Sequence, residues 1–221
     1  EEREAYEAEL CATVEAEGAA LLKNENNALP LASGAKVSLF GHGSVDLMYG
    51  GTGSGSVDTS KAPNLKQALE AQGITINQTL WDLYSSDSMM SKYSRMTPAS
   101  ISDTLEANTQ YAVNEAPWSA LSSAESSFAE YGDAAIVVLS RSGGEGADLP
   151  SGENGTSDSW ISGQEGDGNY LALSAEEIEL LQNLKALKDN GTFKSIVVLI
   201  NSSNAIELDF LNPEICGEDY G

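Results

Sequence analysis

Apolar residues at Tyr6, Leu10, Val14, Leu21 and Leu22 recur at helical spacing, which predicts a helix over residues 3–24. The turn-rich "LPLASGA" then gives way to "KVSLFG" (36–41), a short β-branched and aromatic run that reads as a buried strand. "PNLKQALEAQG" (63–73) has Pro63 at its start and Gly73 at its end, the expected punctuation of a helix, and "ITINQ" (74–78) follows as a short strand. Residues 79–118 are polar and predict helices without clear limits. "SALSSAESSFAEYG" (119–132) predicts a helix ending at Gly132. "AAIVVLS" (134–140) shows no polar alternation, the pattern of a strand covered on both faces. "SAEEIELLQNLKALKDNG" (174–191) opens with a capping box, Ser174 with Glu177, and closes at Gly191. "SIVVLI" (195–200) reads as a second fully buried strand, and "AIELDF" (205–210) as a further one.

Alternation of strand and helix, with strands buried on both faces, predicts an α/β fold: a three-layer α/β/α sandwich around a mostly parallel sheet. Residues 1–30 are expected to form an N-terminal helix and linker packing on a domain spanning 31–221. The chain opens on what reads as a mid-protein helix and closes on "NPEICGEDYG", so the sandwich is expected to be incomplete at its C-terminal end. In such sheets ligands meet the loops at the carboxyl ends of the strands. Two unusual loops leave strands there: a glycine- and serine-rich one at 41–60, and a long glycine-rich one at 141–172. Long loops without structure of their own tend to be functional.

Charge narrows the partners. With 34 acidic and 11 basic side chains the formal charge is −23, and no lysine or arginine cluster is present to bind phosphates. Nucleic acid is therefore not an expected partner, and an anionic membrane surface is disfavoured. No apolar run is long enough to span a bilayer. A neutral substrate fits. The compartment stays open, with the cytoplasm favoured. Two cysteines at opposite ends, Cys11 and Cys216, imply no disulfide framework and read as free thiols. A single histidine, His42, without CxxC or HExxH spacing, gives no basis for a zinc site.

In "GHGSVDLMYGGTGSGSV" (41–57), Gly41 and Gly43 begin a dinucleotide fingerprint, but Asp46 stands at the third glycine and the P-loop lysine is absent, so no nucleotide cofactor is expected. The glycines either permit positive φ in a tight loop or keep a pocket border free of bulk. "SRSGGEGADLP" (140–150) places Glu145 among glycines 143, 144 and 146. Glycoside hydrolysis needs a carboxyl that donates and then accepts a proton, and a supple loop can bring one to a sugar. Taken alone, Glu145 reads first as a solvated loop acid, and the nearby Arg141 would lower its pKa rather than raise it. Asp158, Glu165 and Asp167 match no EF-hand spacing, and Trp160 suits a sugar stack or a buried anchor equally.

"AEGAALLKNENNALPL" (16–31), "VSLFGHG…GGTGSGSV" and "AAIVVLSRSGGEGADL…LALSAEEIELLQNLK…SIVVLINSSNAIEL" together resemble the carboxy-terminal α/β-sandwich domain of glycoside hydrolase family 3, nearest its bacterial β-glucosidase members. The likeness runs from about residue 12 to 210. It implies a retaining mechanism on β-glucosides or oligosaccharides, shared with a (β/α) barrel domain of the same protein that carries the nucleophilic aspartate in an "SDW"-type motif. "SDSW" (157–160) has an extra serine and lies in the wrong domain, so the nucleophile is not carried onto Asp158. The resemblance implies that Glu145 is the general acid/base. It places Arg141 and Asp148 at flanking positions that shape the loop and substrate pocket, and Gly51, Thr52, Gly53, Ser54 and Gly55 in the loop that lines it. "ADLP" departs from the family's commoner aromatic-Asp-Arg ending. Neither metal nor cofactor is implied. The other reading from the residues is a non-catalytic carbohydrate-binding or structural α/β module.

Overall fold

The computed structural model describes residues 2–51, 53–56, 58–95, 113–143, 170–203 and 205–208. The chain divides into two compact units, Glu1–Leu31 and Ala32–Gly221. In the first, helix α1 (Glu2–Gly18) stops at its glycine, where the cost of ordering a residue without a side chain favours an end; the periodicity extends six residues further. After it, Asn24 brackets Leu29, accepting from its N–H at 3.0 Å and donating to its carbonyl at 2.9 Å, just before a cis Leu29–Pro30 bond. Cys11 is a free, exposed thiol, and Cys216 lies outside the described residues.

Among the described residues, the second unit is built on a four-stranded sheet. Its strands are β1 (Lys36–Phe40), β2 (Thr75–Ile76), β3 (Ala134–Arg141) and β4 (Ile196–Ser202), in the order β2-β1-β3-β4, and every pairing is parallel. Among the described residues the α-helices of this unit are α2 (Leu65–Ala71), α3 (Gln78–Tyr84), α4 (Asp87–Met90) and α5 (Ala175–Asp189), and the arrangement is the expected α/β sandwich. The expected capping box forms, Ser174 capping α5 with Glu177, and a second one not read from the sequence caps α2, Asn64 with Gln67, one residue beyond Pro63.

β3 is buried along its whole length, as a strand with two covered faces must be. Ala135, Val137 and Leu139 share a core with Leu80 and Tyr84 of α3 and with Leu180, Leu181 and Leu184 of α5. Phe40 sits within an aromatic group, edge-on to Phe128 at 5.2 Å and to Phe193 at 5.7 Å, with Trp118 stacked at 6.3 Å.

Three expectations need correcting. The segment 119–132 forms two 3-10 stretches, Trp118–Leu121 and Glu125–Tyr131, rather than one α-helix. Its serines compete for backbone carbonyls, as Ser127 does by donating to Ala124 at 2.6 Å. β4 is only half-buried, with Leu199 37% exposed, because among the described residues it pairs on one side alone. Residues 205–208 carry no strand; there the Glu207 N–H donates to the Leu171 carbonyl at 2.8 Å, in the approach to α5.

At the amino end of β3, Asp133 accepts from Lys194 Nζ at 2.5 Å and from the Lys36 N–H at 2.8 Å. The Lys194 hydrogen bond first, then that of the Lys36 backbone, holds its carboxyl below the usual range. A carboxyl lowered in the folded state contributes stability above its unfolded pKa, about 3.9, and loses it as pH falls through the folded value. Asp133→Asn should therefore melt at lower temperature than wild type at pH 7. The gap should narrow below about pH 4 and close once the pH has fallen through the lowered folded value, read by thermal unfolding on the acid side.

Candidate active site

From β1 the chain crosses to β2 on one side, and from β3 it crosses to β4 on the other, so the boundary between β1 and β3 is where the strand order reverses. In open parallel sheets the crevice for ligands opens there, at the carboxyl ends. Both unusual loops leave from these two neighbouring strands, one after Phe40 and one after Arg141.

The first loop is anchored by buried polar groups. Gly41 has φ +84°, and a Cβ on it would lie 2.7 Å from the Val138 carbonyl, so only glycine fits this exit from β1. Its N–H donates to the Tyr84 hydroxyl at 3.1 Å. Burial, then the charge of Glu115, pushes that phenol well above its ordinary range and keeps it protonated. Glu115, almost wholly buried, accepts from the N–H groups of His42 and Ala116, each at 2.9 Å, and lies 3.0 Å from His42 Nδ1. Further along, Asn201 at the end of β4 clamps Met48 on both sides. Its Oδ1 accepts from the Met48 N–H at 2.7 Å and from Ser140 at 3.2 Å, while its Nδ2 donates to the Met48 carbonyl at 2.9 Å. The loop is thereby drawn across the end of β3 to β4.

The second loop is anchored at both stems. Arg141 is fully buried, and its five N–H donors are all used: two on Glu177 at 2.6 and 2.8 Å, and the rest on the carbonyls of Ser140, Tyr170 and Ala172 at 2.6 to 2.9 Å. The Tyr170 hydroxyl accepts from the Ser142 N–H at 3.0 Å and donates to the Ser142 carbonyl at 3.1 Å. Burial is the main cause that raises this phenol's pKa. The Ser203 hydroxyl accepts from the Gly143 N–H at 3.1 Å and donates to the Gly143 carbonyl at 3.2 Å. Residues 141–143 and 170–172 are thus stitched to each other and to β4.

Of the residues singled out in the sequence, Glu145, Asp148 and Thr52 lie outside the described residues, as do Asp158, Trp160, Glu165 and Asp167. Gly51 lines a cavity of about 300 Å³, together with residues 45–50, Ser56, Thr59 and Arg95. Gly53, Ser54 and Gly55 form a 3-10 turn and are not among its lining residues. Arg141 is held inside the stem with no donor left for a ligand. The groups missed by sequence reasoning are Tyr84, Glu115, Tyr170, Asn201 and Ser203. Each is an ordinary polar residue whose partner lies far along the chain, and only the tandem of polar residues after "VVLI" hints at any of them. Among the described residues no group of three or more His, Cys, Asp or Glu could hold a metal ion, and no helix is long and apolar enough to cross a membrane.

A family model described as the glycosyl hydrolase family 3 C-terminal domain matches residues 19–217. Beta-glucosidase A of Butyrivibrio fibrisolvens is 34% identical over 146 residues, covering 63% of this chain and 15% of that protein. A crystal structure of a beta-glucosidase from Paenibacillus barengoltzii is similar with a TM-score of 0.60 at 24% identity, over 90% of this chain and 19% of its own. Beta-glucosidase 3B from Thermotoga neapolitana, in complex with glucose, gives 0.63 at 24% identity, over 91% and 25%. At such identities the structural likeness speaks for the fold. The chain spans a quarter or less of these proteins' length.

Proposed function

Because the chain belongs to the glycosyl hydrolase family 3 C-terminal domains over residues 19–217, we propose that it is the non-barrel domain of a retaining β-glucosidase-like enzyme. In this reading Glu145 is the general acid/base and the glycine-rich loop after β1 borders the sugar pocket. The observation that carries it is that both loops leave neighbouring strand ends where the strand order reverses, with the stem leading to Glu145 firmly tied.

A barrel domain of the same protein supplies the nucleophilic aspartate, about 5 to 5.5 Å from the Glu145 carboxyl. Protonated Glu145 donates its proton to the glycosidic oxygen as the aspartate attacks the anomeric carbon. The leaving group departs as an alcohol, and a glycosyl ester remains on the aspartate. Glu145, now a carboxylate, takes a proton from water, which displaces the ester and releases the sugar with its original configuration. Arg141 acts through the backbone: it fixes the two stems of the loop, and its charge is matched by Glu177. Asp148 and residues 51–55 complete the pocket. Alone, the chain lacks the covalent step and should be inactive.

Proton NMR of the full-length protein acting on an aryl β-glucoside tests the reading. The β-anomer of glucose should appear first and mutarotate later. The α-anomer first would contradict retention. No hydrolysis would contradict the enzyme reading and leave a sugar-binding or structural module.

A further inference from the structure

The cavity beside the glycine-rich loop holds a charged pair that the reaction above leaves unused. Arg95 Nη2 lies 3.2 Å from Asp46 Oδ1, and the two side chains are 12% and 32% exposed. Arg95 Nη1 is buried with no hydrogen-bond partner, and the described residues give Asp46 Oδ2 none either. Both residues line the cavity, the Nη1 donor itself shut off from solvent and the Asp46 carboxylate partly open to it. Val45, Leu47, Met48 and Tyr49 also line it, and the surface the cavity presents is mainly polar. Tyr49 is turned by a bond from its hydroxyl to the Pro63 carbonyl at 2.9 Å, and burial and the Asp46 charge keep that phenol protonated.

We propose that Asp46 and Arg95 form a binding site for a neutral, hydroxyl-rich ring, the sugar on the leaving-group side of the bond to be cleaved; this rests on the glycosidase reading above. A vicinal diol matches the pair: one hydroxyl donates to Asp46 Oδ2, and its neighbour accepts from Arg95 Nη1 after a small turn of the flexible side chain. The ring's remaining hydroxyls meet the mainly polar lining. Asp46 already neutralises Arg95, and the chain carries a formal charge of −23, so an anionic ligand is selected against. A volume of about 300 Å³ sits at the small end of ligand sites and suits one ring rather than a chain of them. The leaving-group side follows from the chemistry. The general acid protonates the leaving oxygen, so the departing ring lies toward the domain that carries the acid, while the barrel addresses the other sugar.

The test compares full-length wild type with Arg95→Met and Asp46→Asn on two substrates, a β-linked glucose disaccharide and a nitrophenyl β-glucoside whose leaving group has no hydroxyl pair. The ratio of kcat/KM for the disaccharide to that for the nitrophenyl substrate should fall about 10- to 100-fold in each variant, the worth of a hydrogen bond to a charged group. Arg95→Lys, which keeps the charge but not the fork, should fall between wild type and Arg95→Met. An unchanged ratio, whether both activities persist or both fall together, overturns the site. If wild type hydrolyses neither substrate, the glycosidase reading has failed separately, and the site is judged by saturation-transfer NMR with methyl β-glucoside. A wild-type signal lost in Arg95→Met supports it, and no wild-type signal overturns it.

Discussion

Glu145→Gln in the full-length protein is expected to lower kcat about 10²- to 10⁴-fold on a β-glucoside with a poor leaving group, the usual contribution of a positioned acid or base. The substitution keeps shape and volume and removes only the titrating proton. Its effect should depend on the leaving group. An alkoxide needs the proton that Glu145 would supply, whereas a dinitrophenolate departs without it. With the activated substrate the first step should therefore be nearly preserved, and the second, in which water must be deprotonated, should become limiting. The measurable signature is a burst of one equivalent of dinitrophenol followed by slow turnover. A uniform loss on both substrates, with no burst, would assign Glu145 a merely structural part. Asp158, in the same loop, should show no such dependence.

Glu177→Leu should destabilise the sandwich by about 3 to 5 kcal/mol, because it strands the Arg141 guanidinium, fully buried, without its counter-charge. Glu177 serves two structures at once. Its carboxylate takes two hydrogen bonds from Arg141, and its Oε2 also accepts the Ser174 N–H at 2.9 Å to close the capping box of α5. Losing the cap alone would cost about 1 kcal/mol, so the expected excess belongs to the buried ion pair. Pairing it with Arg141→Met should recover part of the loss, since two apolar side chains need no partner. Denaturant unfolding of the single and double variants reads both effects. A single-variant cost below about 1 kcal/mol would show that water reaches the pair and that it does not hold the stem rigid.

Much of this architecture is written locally in the chain. β3 opens on a run of apolar residues too continuous for a half-exposed strand, and the box joining Ser174 to Glu177 spans three residues, so neighbours in sequence settle them. β4 has an equally apolar run and is half-buried nonetheless, because a strand's place at a sheet edge depends on what pairs beside it. The segment around Ser127 departs from the expected α-helix because serine side chains satisfy carbonyls that a regular helix would use, and a glycine pattern alone does not reveal that competition. Arg141 shows the same limit at the site. Its position beside Glu145 in sequence suggests a shared pocket, yet its partner is Glu177, 36 residues away. Tyr84 reaches Gly41 across 43 residues, Glu115 reaches His42 across 73 and Asn201 reaches Met48 across 153. No spacing rule links such pairs; the parallel sheet brings them together by stacking distant strand ends on one edge.

The role of Glu145 is tested most directly by azide acting on full-length Glu145→Gly with dinitrophenyl β-glucoside. Azide is a nucleophile that needs no general base, and it fits the space the side chain vacates. The account predicts that turnover rises with azide and that the product is the β-glucosyl azide, formed when azide displaces the enzyme's glycosyl ester. Turnover indifferent to azide, or an α-glucosyl azide, would contradict it.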